Sequence, residues 1–390
     1  MFKIFYSQAD TNLFEDYENI NTGLDEILEI GKRYGTDGET LFESRALLKF
    51  NMPEITTALN KYSVNLNNCK FMLQLFTTDA KSLPAEYTVT ANIVAQDWIN
   101  GTGYLNSSPV VSDGATWSMP YSGSTWISSS QHIQYNSSSF FISGSVGGGG
   151  SWLYGTSGSY FGQVYFDQNF FDINLISTTT SYSSVPYRES TDINLDITDA
   201  VKLWISGSNG HTIDNNGLIL RFSDNDAADP NKKGFIRYFS RDTHTIYVPK
   251  LIMYWDNSTF TTGSLGAVDT ESYIIYTDSK PTYRDNEVAK IRIYARDKYP
   301  RKSPTNLAPY QTVKYLPATS YYTVKDAATD EVIIPYDDIY NKISCDSKSN
   351  FIYIDFTGFM PERSYRLEFK ITEGFMEQYI TEPVYFKVTR

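Results

Sequence analysis

The chain alternates apolar and polar residues over many short stretches, a pattern typical of half-buried β-strands. The alternation is clear in CKFMLQLFTTD (69–79) and EYTVTANIVAQDW (86–98). A helical period occurs in ITTALNKY (55–62), and TDINLDITDAVKLWISG (191–207) indicates a strand that runs into a short helix. GLDEILEIGKRY (23–34) fits either a weak helix or the end of a strand. The pattern therefore predicts an all-β protein with few, short helices.

Residues 101–162 interrupt this pattern with Gly/Ser-rich sequence that carries almost no charge. Such tracts are usually flexible linkers, but this one contains many large aromatic side chains. We therefore predict an insertion, either a long loop or a hairpin, packed on a neighbouring surface; a solvated loop is the alternative. The candidate contact residues are Trp117, Trp126, Phe140, Phe141, Trp152, Tyr154, Tyr160 and Phe161.

The C-terminal part, residues 273–390, contains seven candidate strands, among them SYIIYT, AKIRIYARD, YQTVKYL and SYYTVKD. This spacing predicts an immunoglobulin-like or fibronectin-type sandwich. In FIYIDFTGFMPERSYRLEFKI a strand, a corner with Pro361 and then Tyr365 indicate a tyrosine corner. We place an N-terminal sandwich at 1–257, a linker at 258–272 and the second sandwich at 273–390.

Composition narrows the choice of partners. The formal net charge is −12, so an acidic surface would repel a phosphate backbone and nucleic acid is not an expected partner. The basic run at 290–302 alternates with apolar residues, which indicates the solvated face of a strand. With 31 Tyr, 23 Phe and 6 Trp, the chain is rich in side chains that suit a pleated, half-buried surface.

The N-terminus lacks the apolar core of a signal peptide. No stretch approaches the roughly 18 apolar residues of a membrane helix. Cys69 and Cys345 fall in different predicted domains, so we expect no disulfide framework and no cysteine-based metal site. A virion protein, made in the host cytoplasm and released by lysis, reconciles these features with a composition typical of extracellular proteins.

Residues 1 to about 255 resemble the DNRLRE-type β-sandwich domain, a jelly-roll relative of carbohydrate-binding modules. The resemblance depends on the order of several motifs. These are SRALLKFNMPEI, KFMLQLF, YTVTANIVAQDWINGTG, GATW, LDITDAVKLWISG, NNGLILRF and FSRDTHTIYVPKLIMY. It implies a jelly-roll-like sandwich for this part of the chain. The stretch Asp97 to Asn100 (DWIN) lacks the acidic residue of the family's loop, Asp242 stands in for the usual Glu, and the aromatic insertion is foreign to the pattern.

Candidate chemistry is sparse. The three histidines, His132, His211 and His244, have no metal-ligand spacing, and no nucleophile elbow occurs. Carboxylates that could pair for glycoside hydrolysis are Asp97, Asp113, Asp192, Asp196 and Asp199. The loop 224–229 offers oxygen ligands for calcium, but a solvated turn is the preferred interpretation. We expect no enzyme activity, no cofactor and no bound metal.

The sequence therefore predicts a non-enzymatic virion structural protein of a tailed phage, in the tail, baseplate or neck. Its expected partners are other virion proteins and further copies of itself, without membrane insertion. An alternative is a carbohydrate-binding or adhesion module that recognises a host surface glycan. A capsid decoration protein is a further possibility.

Overall fold

The computed structural model describes residues 1–390 except 36, 85, 128–139, 145–147, 156–161, 168–173, 177–191, 207–212, 270, 304, 306, 374 and 375. It divides into two compact units. The larger unit is Phe5–Ile252, and the smaller unit combines Met1–Ile4 with Met253–Arg390. The first four residues thus group with the C-terminal unit rather than with the predicted N-terminal domain.

Between Phe2 and Trp255 the described residues form strands and three short α-helices, whose bounds follow the predicted pattern closely. In chain order they are β1 (Phe2–Tyr6), β2 (Ala9–Phe14), β3 (Ile27–Tyr34), β4 (Leu41–Lys49), α1 (Met52–Tyr62), β5 (Cys69–Leu75), β6 (Thr77–Lys81), β7 (Glu86–Ile93), β8 (Phe140–Gly144), β9 (Ser151–Gly155), β10 (Gly162–Asp167), β11 (Asn174–Ile176), β12 (Ile193–Asp196), α2 (Thr198–Ile205), β13 (Leu218–Phe222), α3 (Asp224–Ala228), β14 (Gly234–Phe239) and β15 (Lys250–Trp255). The ambiguous segment at 23–34 is therefore a strand over most of its length.

These strands form a four-stranded sheet, β1-β15-β5-β12, and a larger sheet, β11-β10-β7-β13-β4-β3-β14-β6, in which β2 also pairs with β4. Neighbouring strands in the larger sheet run antiparallel; Ile219 of β13, for example, lies opposite both Leu47 and Asn92. All five residues of β13 are buried, so the centre of this sheet is covered on both faces. The fold is all-β, as predicted.

The described residues of the smaller unit form nine further strands. They are β16 (Tyr273–Thr277), β17 (Thr282–Arg284), β18 (Val288–Asp297), β19 (Ser320–Asp326), β20 (Val332–Ile334), β21 (Ser344–Cys345), β22 (Asn350–Asp355), β23 (Arg363–Glu373) and β24 (Met376–Thr389). They form two sheets, β16-β18-β22-β21 and β17-β24-β23-β19-β20. These orders correspond to the ABED and GFC sheets of an immunoglobulin domain, with one short strand added at each edge of the second. The predicted Ig-like sandwich is confirmed.

The predicted tyrosine corner is present. Tyr365 is buried near the start of β23, and its hydroxyl donates to the carbonyl oxygen of Met360 at 3.0 Å. Its ring meets that of Phe359 edge-on, with 4.9 Å between the centroids. This bond ties the corner before β23 to the strand that follows it.

Two local predictions differ from the structure. YQTVKYL (310–316) is not a strand: it begins in a 3-10 turn, Pro309–Gln311, and makes only isolated bridges at Lys314 and Tyr315. Pro309 fixes φ at the start of this turn, which favours the turn over an extended strand. The turn predicted after β13 begins with the short helix α3, which Ser223 caps by accepting from the Asp226 amide.

The segment predicted as a linker, residues 258–272, belongs to the smaller unit and forms backbone hydrogen bonds with it. The Thr261 amide donates to Cys345 O at 3.0 Å, and the Val268 amide donates to Tyr315 O at 3.0 Å. Among the helices of the described residues, none has both the length and the apolar character to cross a bilayer.

Candidate contact surface

The tryptophans of the insertion are buried in the larger unit itself. Trp117, Trp126 and Trp152 are 5%, 6% and 4% exposed and belong to one apolar cluster. The other members of this cluster are Leu13, Leu47, Val94, Trp98, Ala115 and Ile219. Strand residues of the larger sheet thus form the floor of the cluster, and the described part of the insertion covers one face of that sheet. Strand β9 of the hairpin β8–β9 also pairs laterally with the chain just after β7, since Trp152 forms a backbone bridge with Val94.

The predicted contact surface therefore needs a correction. Trp117, Trp126 and Trp152 are core residues of their own subunit and are not available to a neighbouring one without unfolding of the cover. Phe140, Phe141 and Tyr154 lie on the two strands of the hairpin. Tyr160 and Phe161 fall outside the described residues.

The glycine tract explains why a sequence with linker composition packs tightly. Gly148, Gly149 and Gly150 all have positive φ, a region that side chains other than glycine rarely adopt. A Cβ on Gly149 would lie 2.7 Å from Arg45 Nη1 and 2.9 Å from the Trp117 ring. The tract brings backbone directly onto these side chains, so it serves close packing rather than flexibility.

Two buried arginines lie against these indoles. The Arg221 guanidinium carbon is 4.1 Å from the Trp152 ring centroid, and that of Arg45 is 4.8 Å from the Trp117 centroid. Arg45 Nη1 donates to Gly149 O at 2.6 Å, and its Nη2 pairs with Glu43 at 2.5 Å. Burial lowers the pKa of Arg45, and Glu43 opposes this effect. The arrangement anchors the cover of the sheet through cation–π contacts, a structural role that the sequence pattern did not indicate.

The candidate calcium loop already holds a cation of the chain. The Lys32 ammonium donates to the carbonyl oxygens of Asp226, Ala227 and Asp229 at 3.0, 2.9 and 2.5 Å. The Asp226 carboxylate accepts from Lys232 Nζ at 2.6 Å and from the Thr88 amide at 2.6 Å. Backbone carbonyls and carboxylates are ligands that calcium prefers, but here a buried lysine occupies the carbonyl cluster.

The candidate catalytic groups that the structure describes each have contacts of their own. His244 is 90% exposed, 3.5 Å from Glu26, while His132 and His211 fall outside the described residues. Asp113 accepts two bonds from Thr102. The other candidate carboxylates also take part in local contacts: Asp97 with Lys49, Asp192 with the Thr77 amide, Asp196 with the Thr198 amide, and Asp199. In the described part of the chain, no three His, Cys, Asp or Glu side chains form a metal-binding group.

Both cysteines are buried free thiols, Cys69 in the larger unit and Cys345 in the smaller one. Burial is the main reason that the pKa of each thiol rises to about 11. Neither is therefore a reactive thiolate at neutral pH.

Asn100 and Asp10 lie in a network of hydrogen bonds. Asn100 Oδ1 accepts from the Asp10 amide at 2.8 Å, and Asn100 Nδ2 donates to Gly23 O at 2.7 Å. A carboxylate in this place could accept the first bond but could not donate the second. Asp10 itself accepts from the Arg241 amide at 2.8 Å, next to Asp242. Burial is the main cause that raises the pKa of Asp10 to about 7.

Asp10 should make the larger unit less stable as pH rises. Because the folded pKa of about 7 exceeds the ordinary value of 3.8, the folded state binds the proton more tightly, and this stabilisation is lost between about pH 4 and pH 7. Asp10→Asn retains an acceptor for the Arg241 amide, so we expect it to be more stable than wild type by about 1–3 kcal/mol at pH 8 and not at pH 4. Urea unfolding across this pH range measures the difference. Asp97→Asn, with 71% of its side chain exposed, is the control and should show no such trend.

The smaller unit presents three tyrosine rings on one side of a regular sheet; Tyr276 is exposed, and Tyr294 and Tyr353 are half-buried. We call the outer side of β16-β18-β22 the tyrosine face and define it by Tyr276, Lys290, Arg292, Tyr294 and Tyr353. The rings of Tyr276 and Tyr294 stack at 5.1 Å between centroids and 18° between planes, and Tyr276 is 48% exposed. Tyr276 and Tyr294 lie directly opposite each other on the neighbouring strands β16 and β18.

The cations of the tyrosine face are paired. Asp346 lies 3.1 Å from Arg292 Nη1 and 3.0 Å from Lys290 Nζ. The Arg292 hydrogen bond is the largest cause that holds the pKa of Asp346 well below its usual range. Lys290 Nζ also lies 3.6 Å from the Phe351 ring centroid. The first two cations of the basic run at 290–302, Lys290 and Arg292, are thus neutralised by Asp346. This leaves the Tyr276 ring as the group of this face most available for contact.

Comparisons with known proteins add little. No family model matches the sequence, and a search of curated proteins found no relative. One similar solved structure is a β-glucuronidase from Parabacteroides merdae with glycerol in its active site, 10% identical, with a TM-score of 0.16. The aligned region includes 99% of this chain and spans 35% of that enzyme chain. At this TM-score the likeness carries no argument about fold or activity.

Proposed function

We propose that the chain is a non-enzymatic structural protein of a tailed-phage particle, in the tail, baseplate or neck, that acts through protein–protein contacts. The observation that supports this best is the tyrosine face. Tyrosine supplies a large contact area with few rotatable bonds, and it is enriched at the energetic centres of protein interfaces. On the tyrosine face the rings sit on a hydrogen-bonded sheet, so little conformational entropy would be lost on binding.

The neighbouring charges favour the same role. Lys290 and Arg292 already share Asp346, so a partner can cover them without leaving an unpaired charge, which would oppose association. The partners in this proposal are other proteins of the particle and further copies of the chain, assembled in the host cytoplasm.

Incorporation into particles tests the proposal. Mass spectrometry of purified virions should detect the wild-type chain, and the double variant Tyr276→Ser/Tyr294→Ser should be depleted about tenfold or more, as expected for the loss of an interface hot spot. The matched control is Tyr17→Ser/Tyr34→Ser, which removes two tyrosines of the larger unit that are 40% and 46% exposed. Absence of the wild-type chain from virions, or equal incorporation of both double variants, would contradict the proposal.

A second measurement distinguishes a glycan-binding role from a role in particle assembly. The exposed Tyr276 ring could stack on a sugar as well as on a protein. Retention of the wild-type monomer on a column of host surface glycan, lost in Tyr276→Ser, would favour adhesion over assembly.

A further inference from the structure

Strand β16 lies at the edge of its sheet with one side of its backbone open. The Lys298 amide donates to Ser272 O at 2.9 Å, and the Asp278 amide donates to Arg292 O at 3.2 Å. Together with the antiparallel register of β16 on β18, these bonds direct the main-chain groups of the even-numbered residues towards β18. The groups of Tyr273, Ile275 and Thr277 therefore point outwards, and within the described residues no further strand pairs with them.

This edge lacks the features that normally block pairing. Its sequence, YIIYT, has no charge and no proline, and its register shows no bulge. The opposite edge of the same sheet is covered, since Cys345 of β21 exchanges backbone bonds with Thr259 and Thr261. The edge strands of the second sheet, β17 and β20, are three residues long. Short or covered edges are protected, so among the described strands of the smaller unit β16 is the edge that is open to pairing.

We propose that β16 pairs antiparallel with β16 of a second copy of the chain, about a two-fold axis at Ile275. In this register Ile275 faces its own copy, and Tyr273 faces Thr277 of the other chain, so all three outward residues of each strand meet outward residues. A shift by one residue would set outward groups against inward ones. The two four-stranded sheets would then become one continuous sheet.

The side chains of this edge are complementary to themselves. Beside the axis, Ile274 of one copy lies next to Tyr276 of the other, at the short spacing of a non-hydrogen-bonded pair. Within each copy Tyr276 stacks on Tyr294, and Ile274 lies opposite Arg296. Tyr294 and Tyr276 of one copy and Ile274 of the other would thus form a continuous row of side chains across the axis. At the strand ends Asp278 faces Ser272 of the other copy, so no like charges oppose each other.

This inference deepens the proposed function by naming one partner, a second copy, and it gives the tyrosine face twice its extent. The two can fail separately. A chain that self-associates in solution but is absent from particles would refute the virion role alone. Incorporated chains that never self-associate through β16 would refute the pairing alone.

The test is concentration-dependent self-association of the full chain by analytical ultracentrifugation. Ile275→Pro removes an outward amide while it spares the bonds to β18, a position that an edge strand tolerates. It should weaken association about thirtyfold, through loss of the two bonds at the axis. The control is Val288→Lys, at a residue of strand β18 in the same sheet that is 38% exposed. This variant should associate like wild type.

Charge pairing across the axis provides a second test that does not depend on proline. Ile274→Glu alone and Tyr276→Lys alone should each associate more weakly than wild type, because each would bury a charge against an apolar residue of the other copy. A mixture of the two variants should dimerise, since the introduced carboxylate of one chain would then face the introduced ammonium of the other. A monomeric wild-type chain at all concentrations, unchanged association of Ile275→Pro, or no rescue in the mixture would overturn the proposal.

Discussion

Replacing Trp152 by alanine is expected to lower the free energy of unfolding of the larger unit by about 4 kcal/mol. The side chain is 4% exposed within the cluster formed by Leu47, Val94 and Ile219, so its removal leaves a cavity. It also deprives the Arg221 guanidinium, 4.1 Å from the ring centroid, of its aromatic neighbour. Urea unfolding of the full chain, followed by far-UV circular dichroism, measures the loss as a shift of the first transition.

The matched control for Trp152→Ala is Tyr121→Ala, which removes a 37% exposed aromatic residue from the same insertion. We expect this change to alter stability by less than about 0.5 kcal/mol. If Trp152→Ala unfolds at the same urea concentration as wild type but no longer enters particles, Trp152 contacts a neighbouring subunit, as the sequence first predicted. That result would contradict the placement of Trp152 in the core.

The strands were predictable because alternation reports which residues face a core. β5 shows the pattern directly, with buried residues at every second position from Cys69 to Leu75. The strand at 310–316 was predicted wrongly because its aromatic and β-branched residues are typical of strands. Pro309, however, begins a turn, and no continuous partner strand is adjacent among the described residues. Periodicity describes how a segment could be buried, but pairing also requires a neighbour in register.

The candidate surface was harder to predict, because composition does not specify what covers an aromatic side chain. The insertion was correctly recognised as packed, but Trp117, Trp126 and Trp152 pack on their own sheet. The glycine run at 147–150 was the sequence feature that could have indicated this packing. A run of glycines near several tryptophans allows close contact between the backbone and the indole rings. The tyrosine face could not be recognised from alternation alone, since Tyr276 and Tyr294 become neighbours only through the pairing of β16 with β18.

Replacing Lys32 by methionine is expected to destabilise the larger unit by about 3–5 kcal/mol. Lys32 is 4% exposed, and its ammonium donates to three backbone carbonyls between Asp226 and Asp229. Methionine keeps an unbranched stem of similar length but offers no donor, so the carbonyl cluster would remain buried against an apolar group. The effect should exceed that of any exposed lysine, and thermal and urea unfolding both measure it.

Lys61→Met is the matched control, because Lys61 is an exposed residue in the last turn of α1; its effect should stay below about 0.5 kcal/mol. The same experiment separates a lysine-filled loop from a calcium loop. Calcium should not raise the stability of the wild-type chain, because the ammonium of Lys32 already neutralises the carbonyl cluster that calcium would need. A marked calcium-dependent stabilisation of wild type, with little loss in Lys32→Met, would show that the loop takes its cation from solution and that Lys32 is dispensable.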